Sequence, residues 1–506
     1  MPQVLLGIDI GTSGCKALLI DGQGAVHASG MASYGYSQPN PGWAEQDPQL
    51  WVEGAKTAIA KALAQAPDIE IAAIGLSGQM HGLTALDEEL RVLRPALLWN
   101  DQRNGAECAA ITDKAGGVEG LLAHTNNRML VGYTGGKILW MRNHEPDLFK
   151  RMRHVLNPKD YLRLLLTGEL ATEVSDASGT GLFDTRARRW ASGLLDLMDI
   201  ESGILPPCHE SHVISGRVSR QGSALFGLPV GIPVAGGGGD SVIQTIGSGV
   251  IAPGELQTTI GTAGILAAAL DQPVPNSDGR LQVFCNVAPE KWHCMGVSLN
   301  AGGAMEWFRT MLGGLTGGEA PSAASLSQLA AEAVPGSRGL IFLPYLNGER
   351  CPHPDPSARG AFIGLTSRHG PADMARSVME GVTYSLYDIY AQMAKAGIGR
   401  NLIKASGGGA RSPLWRQIQA DLFDCDVVTT EGAAEGGAFG AALVGGIGIG
   451  VWPDATAAAN VCRSETREQP DPSAGAALRR AFDIYRGLYD LLTPTFAAIS
   501  DGGLDR

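Results

Sequence analysis

The chain has 506 residues, 44% hydrophobic and 18% charged, and its 39 basic against 51 acidic side chains give a formal charge of −12. That length exceeds one ordinary core and predicts two large domains; the acid excess argues against a nucleic-acid partner, and no apolar run reaches the ~18 residues of a membrane span. Eight cysteines lie scattered without a Cys-x-x-Cys pair, so neither a zinc cage nor a disulfide framework is expected. Met1-Pro2-Gln3-Val4-Leu5 carries no basic leader or cleavage pattern, which predicts a cytoplasmic protein that enters structure directly.

Val4 to Ile10 reads as an apolar strand interrupted by one acid, Asp9, and Gly11-Thr12-Ser13-Gly14 turns it into a second strand, Cys15 to Ile20. Asp21-Gly22-Gln23-Gly24 is a further turn, returning as Ala25 to Ser29. Asp47 as N-cap and Pro48 at the first helical position predict a helix through Leu50, Trp51, Ala55, Ile59 and Leu63, and Ile71 to Leu76 follows as a buried strand. Three antiparallel strands, a helix and a buried strand resemble the ribonuclease-H-like unit of actin, hexokinase and related ATPases.

Polar side chains then follow two strand ends, Ser77-Gly78-Gln79-Met80-His81-Gly82 and Leu97-Leu98-Trp99-Asn100-Asp101-Gln102-Arg103. Ligands of open α/β sheets bind at such loops, although a histidine or tryptophan there serves equally as core. The 132–144 and 157–162 stretches read as helical, with Lys137 and Lys159 as candidate ligand contacts. Near mid-chain Gly231 to Ala235 is a short strand, and Gly236-Gly237-Gly238-Gly239 lets backbone approach a ligand closely before delivering Asp240 at a strand-to-helix junction. An acid in that place is a helix N-cap or a catalyst, and the motif alone leaves both open.

The second half repeats the opening device. Strand 254–260, Gly261-Thr262-Ala263-Gly264 and strand 265–270 echo the turn at Gly11, which predicts a duplicated domain with a boundary near 245 to 255. Cys15 before Lys16 excludes a Walker A loop, but backbone amides of such turns form anion nests. Further on come a strand from Leu340 into a polar loop ending Glu349-Arg350, an amphipathic helix from Asp373 to Tyr390, and strand 403–406 emptying into Gly407-Gly408-Gly409. Ser412-Pro413 then opens a helix with Leu414, Ile418 and Leu422 on one face; strand 426–430, a Gly/Ala-rich helix after Glu435 and a terminal helix from Ala476 to Leu492 follow.

Gly132-x-Thr134-x-x-Lys137-Ile138-x-Trp140-Met141-x-Asn143-His144, and Gly360-x-Phe362-x-Gly364-Leu365 with Asp373-Met374-x-x-Ser377-Val378-Met379-Glu380, resemble the two signatures of the FGGY carbohydrate kinases. Ser77 to Gly82 and Trp99-Asn100-Asp101-x-Arg103 are similar to its xylulose-phosphorylating branch; glycerol kinases carry Arg-Glu where Met80-His81 stand. The resemblance spans about residues 4 to 450. It implies an α/β fold of two ribonuclease-H-like, actin/hexokinase-type domains, 1–248 and 249–506, flanking a catalytic cleft. It implies ATP and Mg2+ as cofactors, and a small-molecule sugar and a nucleotide as partners, with no nucleic acid and no membrane. A homodimer is compatible with such a chain, although nothing in its residues fixes the assembly.

By that resemblance Asp240 is the general base, and Met80, His81, Trp99, Asn100 and Asp101 line the sugar site. Asp9 is catalytic through magnesium or its water shell. Gly11, Thr12 and Ser13 face the transferred phosphate, Gly261 and Thr262 the nucleotide phosphates, and Gly408 and Gly409 the adenosine. Two departures stand out: Ser241 replaces an amide residue after the acid, and Thr262-Ala263-Gly264 replaces Thr-Ser-Gly. Phosphoryl transfer needs positioning and charge neutralisation more than covalent work, so one carboxylate at the nucleophile, one at the metal and amide-rich turns suffice. An aspartate steadied at a helix N-terminus is expected to keep an ordinary acidity and stay ionised. The competing expectations are a kinase for another ketopentose or polyol and, in a different class, a non-enzymatic actin-like nucleotide switch or sugar sensor.

Overall fold

Strand β1 (Gln3–Ile10) is buried along nearly its whole length, because it lies centrally in a sheet with helices on both faces. It pairs antiparallel with β2 (Gly14–Ile20), which pairs antiparallel with β3 (Val26–Ser33). After the short β4 (Glu45–Gln46), helix α1 (Pro48–Gln65) starts where Pro48 presets φ and the Asp47 carboxylate accepts from the Gln49 N–H at 2.9 Å. The chain then returns as β5 (Glu70–Gly78), parallel to β1.

Val4, Leu6, Ile8 and Ile10 of β1 share a core with Trp51, Ala55, Ala58, Ile59 and Ala62 of α1. Alternation places Gly7 on the opposite face. There the helix Gly437–Gly448 lies so close that a Cβ on Gly7 would stand 1.8 Å from the Ala438 carbonyl oxygen, and one on Gly75 would stand 1.7 Å from that of Ala441. The small residues of that late helix therefore serve backbone-to-sheet packing. The strands Ile214–Arg217 and Pro233–Ala235 extend the sheet beyond β5, and Gly238–Gly239 also pairs with β5.

The computed structural model describes residues 3–316 and 318–502, so the outer limits 1 and 506 of the expected domains lie outside the described residues. Two compact units emerge. One takes in the chain up to Ala252 together with 269–293 and 435–463; the other takes in Pro253–Ala268, Cys294–Ala434 and the chain from Ser464. The second unit's strands run Trp292–Ser298, Gly264–Leu270, Glu255–Ile260, Leu402–Ser406, Asp426–Thr430, Ser464–Glu468. Glu255–Ile260 and Gly264–Leu270 form an antiparallel hairpin, and Leu402–Ser406 lies parallel to the first of them, as β5 does to β1. Both units thus have the α/β, ribonuclease-H-like order.

Helices Pro371–Lys395 and Pro413–Phe423 fall where expected, the second capped by Ser412, whose hydroxyl accepts from the Trp415 N–H at 3.1 Å. Several elements outrun their expected limits, among them the helix expected from Asp373 to Tyr390, which spans Pro371–Lys395. β3 continues to Ser33 because β2 offers pairing partners along its whole length, and the terminal helix spans Pro472–Asp501 because Asp471 caps it, accepting from the N–H groups of Ser473 and Ala474. Among the described residues no helix is long and apolar enough to cross a membrane, and all eight cysteines are free thiols.

The contact at Gly75 is with backbone, which no rotamer change relieves. Gly75→Ala is expected to cost about 1–3 kcal/mol and lower Tm in a thermal melt, whereas Gly105→Ala, whose Cβ meets nothing within 4 Å, is expected to leave Tm nearly unchanged.

Candidate active site

Three parallel strand ends meet in the first unit. β1 delivers Asp9, β5 delivers Ser77 and the loop to His81, and Gly238–Gly239 delivers Asp240, with Asp9 opposite Ser77, Gly238 opposite Ser77 and Gly239 opposite Gly78. The glycine run is needed for this convergence. Gly237 has φ 82°, and a Cβ on it would stand 2.0 Å from the Leu76 carbonyl oxygen; a Cβ on Gly239 would stand 2.5 Å from Met80 Cγ. Helix Asp240–Gly247 begins at Asp240 itself, with Gly239 as its cap residue, so Asp240 is not the N-cap; its Oδ1 accepts from the adjacent Ser241 N–H at 2.6 Å.

Asp240 is only partly exposed, and its carboxyl does not keep an ordinary acidity. Desolvation by burial and the nearby Asp9 push it up to about 7, against the acidifying hydrogen bond from Ser241. Burial also raises Asp9, opposed by the Ser77 hydroxyl, which donates to Asp9 Oδ1 at 2.6 Å, and by the charge of Lys16. Lys16 itself pairs with Glu435 at 2.6 Å. The helix N-terminus, expected to keep Asp240 ionised, is outweighed by burial and a like charge.

Met80 is buried, and its sulfur accepts from the Ser241 hydroxyl at 3.1 Å, so the residue that departs from the resemblance bridges Asp240 and Met80. His81 takes φ 67°, uncommon for a side-chain-bearing residue. Its ring stacks on Tyr133 at 4.6 Å between centroids, and its Nδ1 lies 2.6 Å from the Gly179 carbonyl oxygen. Lys137 is fully buried and donates to the His81 and Gly132 carbonyls at 2.8 and 2.7 Å. Burial, only partly offset by Asp101, lowers that ammonium to about 7. Lys159 is equally buried and donates to the Gly236 carbonyl at 3.2 Å. Both lysines, candidate ligand contacts by position, instead brace the backbone of site loops.

Trp99 is 38% exposed rather than in the core, and its indole N–H donates to the Thr12 hydroxyl at 2.9 Å. That hydroxyl donates to Gln79 Oε1 at 3.1 Å, and Gln79 in turn reaches Gln46 at 2.9 Å. Asn100 donates to the Tyr36 hydroxyl at 3.4 Å, and its buried Oδ1 has no hydrogen-bond partner among the described residues. Asp101 is fully buried: it accepts from the Ala44 N–H at 2.7 Å and pairs with Arg103 at 2.8 Å. The Arg103 guanidinium stacks 3.6 Å from the Trp43 ring. Asp101 therefore anchors the loop that presents Trp99 and Asn100.

The turn at Thr12 spends its carbonyls inward. Tyr34 hydroxyl donates to Gly11 O at 2.9 Å, Gln46 to Thr12 O at 3.0 Å and the Tyr34 N–H to Ser13 O at 3.0 Å. The N–H groups of Thr12 and Ser13 meet no acceptor among the described residues, which is the arrangement of an anion nest. In the second unit the Gly261 and Thr262 carbonyls accept from the N–H groups of Gly302 and Ala301 at 2.7 and 2.9 Å, and again the Thr262 and Ala263 N–H groups have no such acceptor. Gly408 is exposed, while Gly409 packs where a Cβ would stand 2.5 Å from Ile260 Cγ2; the parallel pairing of Thr259 with Ser406 puts both glycine turns at one end of the sheet.

No group of three or more His, Cys, Asp or Glu side chains that could hold a metal occurs among the described residues. Magnesium needs no such cage, since it retains waters and takes one or two carboxylates beside phosphate oxygens. Asp9 fits that donor set: Ser77 occupies one oxygen, and no donor among the described residues reaches the other. Gln46, Gln79, Tyr133 and Ser175, whose hydroxyl accepts from the Gly239 N–H at 3.0 Å, are not singled out by sequence. Gln79 and Tyr133 lie beside or within quoted motifs, but Gln46 and Ser175 carry no local signal.

Residues 4–247 match the model of the N-terminal domain, and residues 256–449 that of the C-terminal domain, of the FGGY family of carbohydrate kinases. A xylulose kinase of Escherichia coli (strain K12) is 36% identical over 97% of this chain and 100% of its own. A crystal structure described as a xyloylose kinase from Brucella ovis superposes with TM-score 0.90 at 36% identity, covering 97% of this chain and 100% of that one. One described as gluconate kinase from Lactobacillus acidophilus gives TM-score 0.91 at 27% identity, covering 98% and 99%.

A carboxyl raised in the fold stabilises it most below the unfolded value near 4, and that contribution is lost as pH rises through about 7. Asp240→Asn is therefore expected to raise Tm over the native chain by more at pH 8 than at pH 5. Carbon-13 NMR of labelled aspartates should show a step near pH 7 that disappears in this variant and moves to lower pH in Asp9→Asn.

Proposed function

The chain belongs to the FGGY family of carbohydrate kinases, and we propose that its reaction is the ATP-dependent phosphorylation of D-xylulose to D-xylulose 5-phosphate. The observation that carries this reading is Asp240, a carboxyl lifted to about 7 at the junction of three strand ends, bridged through Ser241 to Met80. Similarity to a xylulose kinase across nearly the whole chain supports the sugar. The sugar side falls to domain 1–248 and the nucleotide side to domain 249–506, in a cytoplasmic enzyme.

Above about pH 7 the Asp240 carboxylate accepts the proton of the sugar's terminal hydroxyl as that oxygen forms its bond to the γ-phosphorus and the bridge to ADP breaks. A base titrating near the operating pH accepts a proton more readily than an ordinary carboxylate does. Met80, His81, Trp99 and Asn100 line the sugar, with Asp101 holding the last two in place. The turn at Gly11, Thr12 and Ser13 faces the transferred phosphoryl group through the Thr12 and Ser13 amides, the turn at Gly261 and Thr262 faces the nucleotide phosphates through the Thr262 and Ala263 amides, and the turn at Gly408 and Gly409 faces the adenosine. Asp9 would hold magnesium or its water shell, and the ion would supply charge neutralisation at the phosphates.

An ADP-release assay over D-xylulose, other ketopentoses, polyols and D-gluconate tests the substrate; D-gluconate is included because of the structural likeness to a gluconate kinase. D-xylulose is expected to give the highest kcat/KM, and rapid turnover of another sugar with none on D-xylulose would overturn the assignment. kcat/KM is expected to fall about tenfold per pH unit below about 7. Asp240→Asn is expected to lose ~10²–10⁴-fold in kcat; full activity in it would remove Asp240 from the mechanism.

A further inference from the structure

The glycine strand before Asp240 is gripped from beneath by a buried, charged cluster to which the reaction as described gives no part. Glu173 caps the short helix Val174–Ser178 and is fully buried. One of its oxygens accepts from the Ser175 hydroxyl and the Asp176 N–H, both at 2.8 Å; the other accepts from the Ser175 N–H at 2.8 Å and the Ser211 hydroxyl at 2.5 Å. All of its strong acceptor positions are thereby committed. The Ser175 hydroxyl, its proton spent on Glu173, can only accept from its other side, and it accepts from the Gly239 N–H at 3.0 Å. That amide belongs to the residue immediately before Asp240.

The same cluster holds two more of the four glycines. The Gly237 N–H donates to the Ser211 carbonyl at 2.9 Å, and Lys159 donates to the Gly236 carbonyl at 3.2 Å. Lys159 is in turn fixed by Asp160 at 2.5 Å and Asp176 at 3.4 Å. Burial alone would lower the Lys159 ammonium, but the carboxylates of Asp160, Asp176 and Glu173 outweigh it and keep it charged. A flexible four-glycine strand has no side chains with which to hold its own position. The buried hydrogen bonds that Ser175, Ser211 and Lys159 make with it supply that constraint.

We propose that Ser175 and Glu173 are positioning residues for Asp240, acting through the Gly239 amide to aim its carboxylate at the substrate hydroxyl. The proposal rests on Asp240 being the base. Neither residue need touch a substrate, so loss of the pin should be felt in the chemical step and not in binding.

The test is steady-state kinetics of the full chain with D-xylulose and ATP. Ser175→Ala is expected to lower kcat about tenfold while both KM values stay within about twofold. Because Ser175 is buried, Ser175→Cys is measured in parallel; its sulfur fills the site but accepts weakly, and the same kcat-only loss is expected. In an Asp240→Asn background, Ser175→Ala should add less than about twofold, since there is no base left to misaim. Unchanged kcat in both Ser175 variants, or a loss confined to KM, would overturn the proposal. So would an equal loss on top of a crippled Asp240→Asn. Full activity in Asp240→Asn alone would instead overturn the base assignment and the proposal with it.

Discussion

Two carboxyl groups, Asp9 and Asp240, are both made harder to ionise by burial, and the charge of Asp9 adds to the effect on Asp240. Left to themselves they would separate or draw in water. The fold prevents this by mounting both on rigid parallel strand ends, Asp9 beside Ser77 and Asp240 directly after a strand paired to Ser77 and Gly78. The result is an ordinary aspartate whose carboxyl is pushed up to about 7 by placement alone.

Holding that placement falls largely to buried lysines and side-chain amides. Lys137 grips the carbonyl of His81, whose backbone is left-handed, and Lys159 grips Gly236. The Trp99, Thr12, Gln79 and Gln46 chain ties the loop after the second strand end to the hairpin turn. Each of these groups reaches backbone or a polar side-chain atom, so the contacts fix the loops in one arrangement. Arg103, sandwiched against Trp43 and pinned by Asp101, does the same for the loop bearing Trp99 and Asn100.

The two glycine hairpins follow one physical rule in both units. Their carbonyls are consumed by local donors, from Tyr34 and Gln46 in one and from Ala301 and Gly302 in the other, while the N–H groups of Thr12 and Ser13, and of Thr262 and Ala263, meet no acceptor among the described residues. A turn arranged in this way presents positive potential from backbone alone, which suits an anion even in a chain with formal charge −12.

The sequence by itself determined the strands around Asp9, the helix capped by Asp47, the second hairpin and the helices after Asp373 and Ser412, because apolar periodicity, caps and glycine turns are local signals. Long motifs were enough to place the chain in a family and to single out Asp240, Met80, His81 and Trp99. Tertiary structure alone decided the rest. Asp240 is the first residue of its helix and not its cap, and its acidity is set by burial and by Asp9, more than two hundred residues away in sequence. Asp101 proved to be a buried anchor, and Lys137 and Lys159 proved to be backbone clamps, because a side chain's partners depend on which loops the sheet brings together. Ser175 carries no signal in the chain at all; its meaning comes from one hydrogen bond to Gly239, and such long-range contacts leave no periodicity to read.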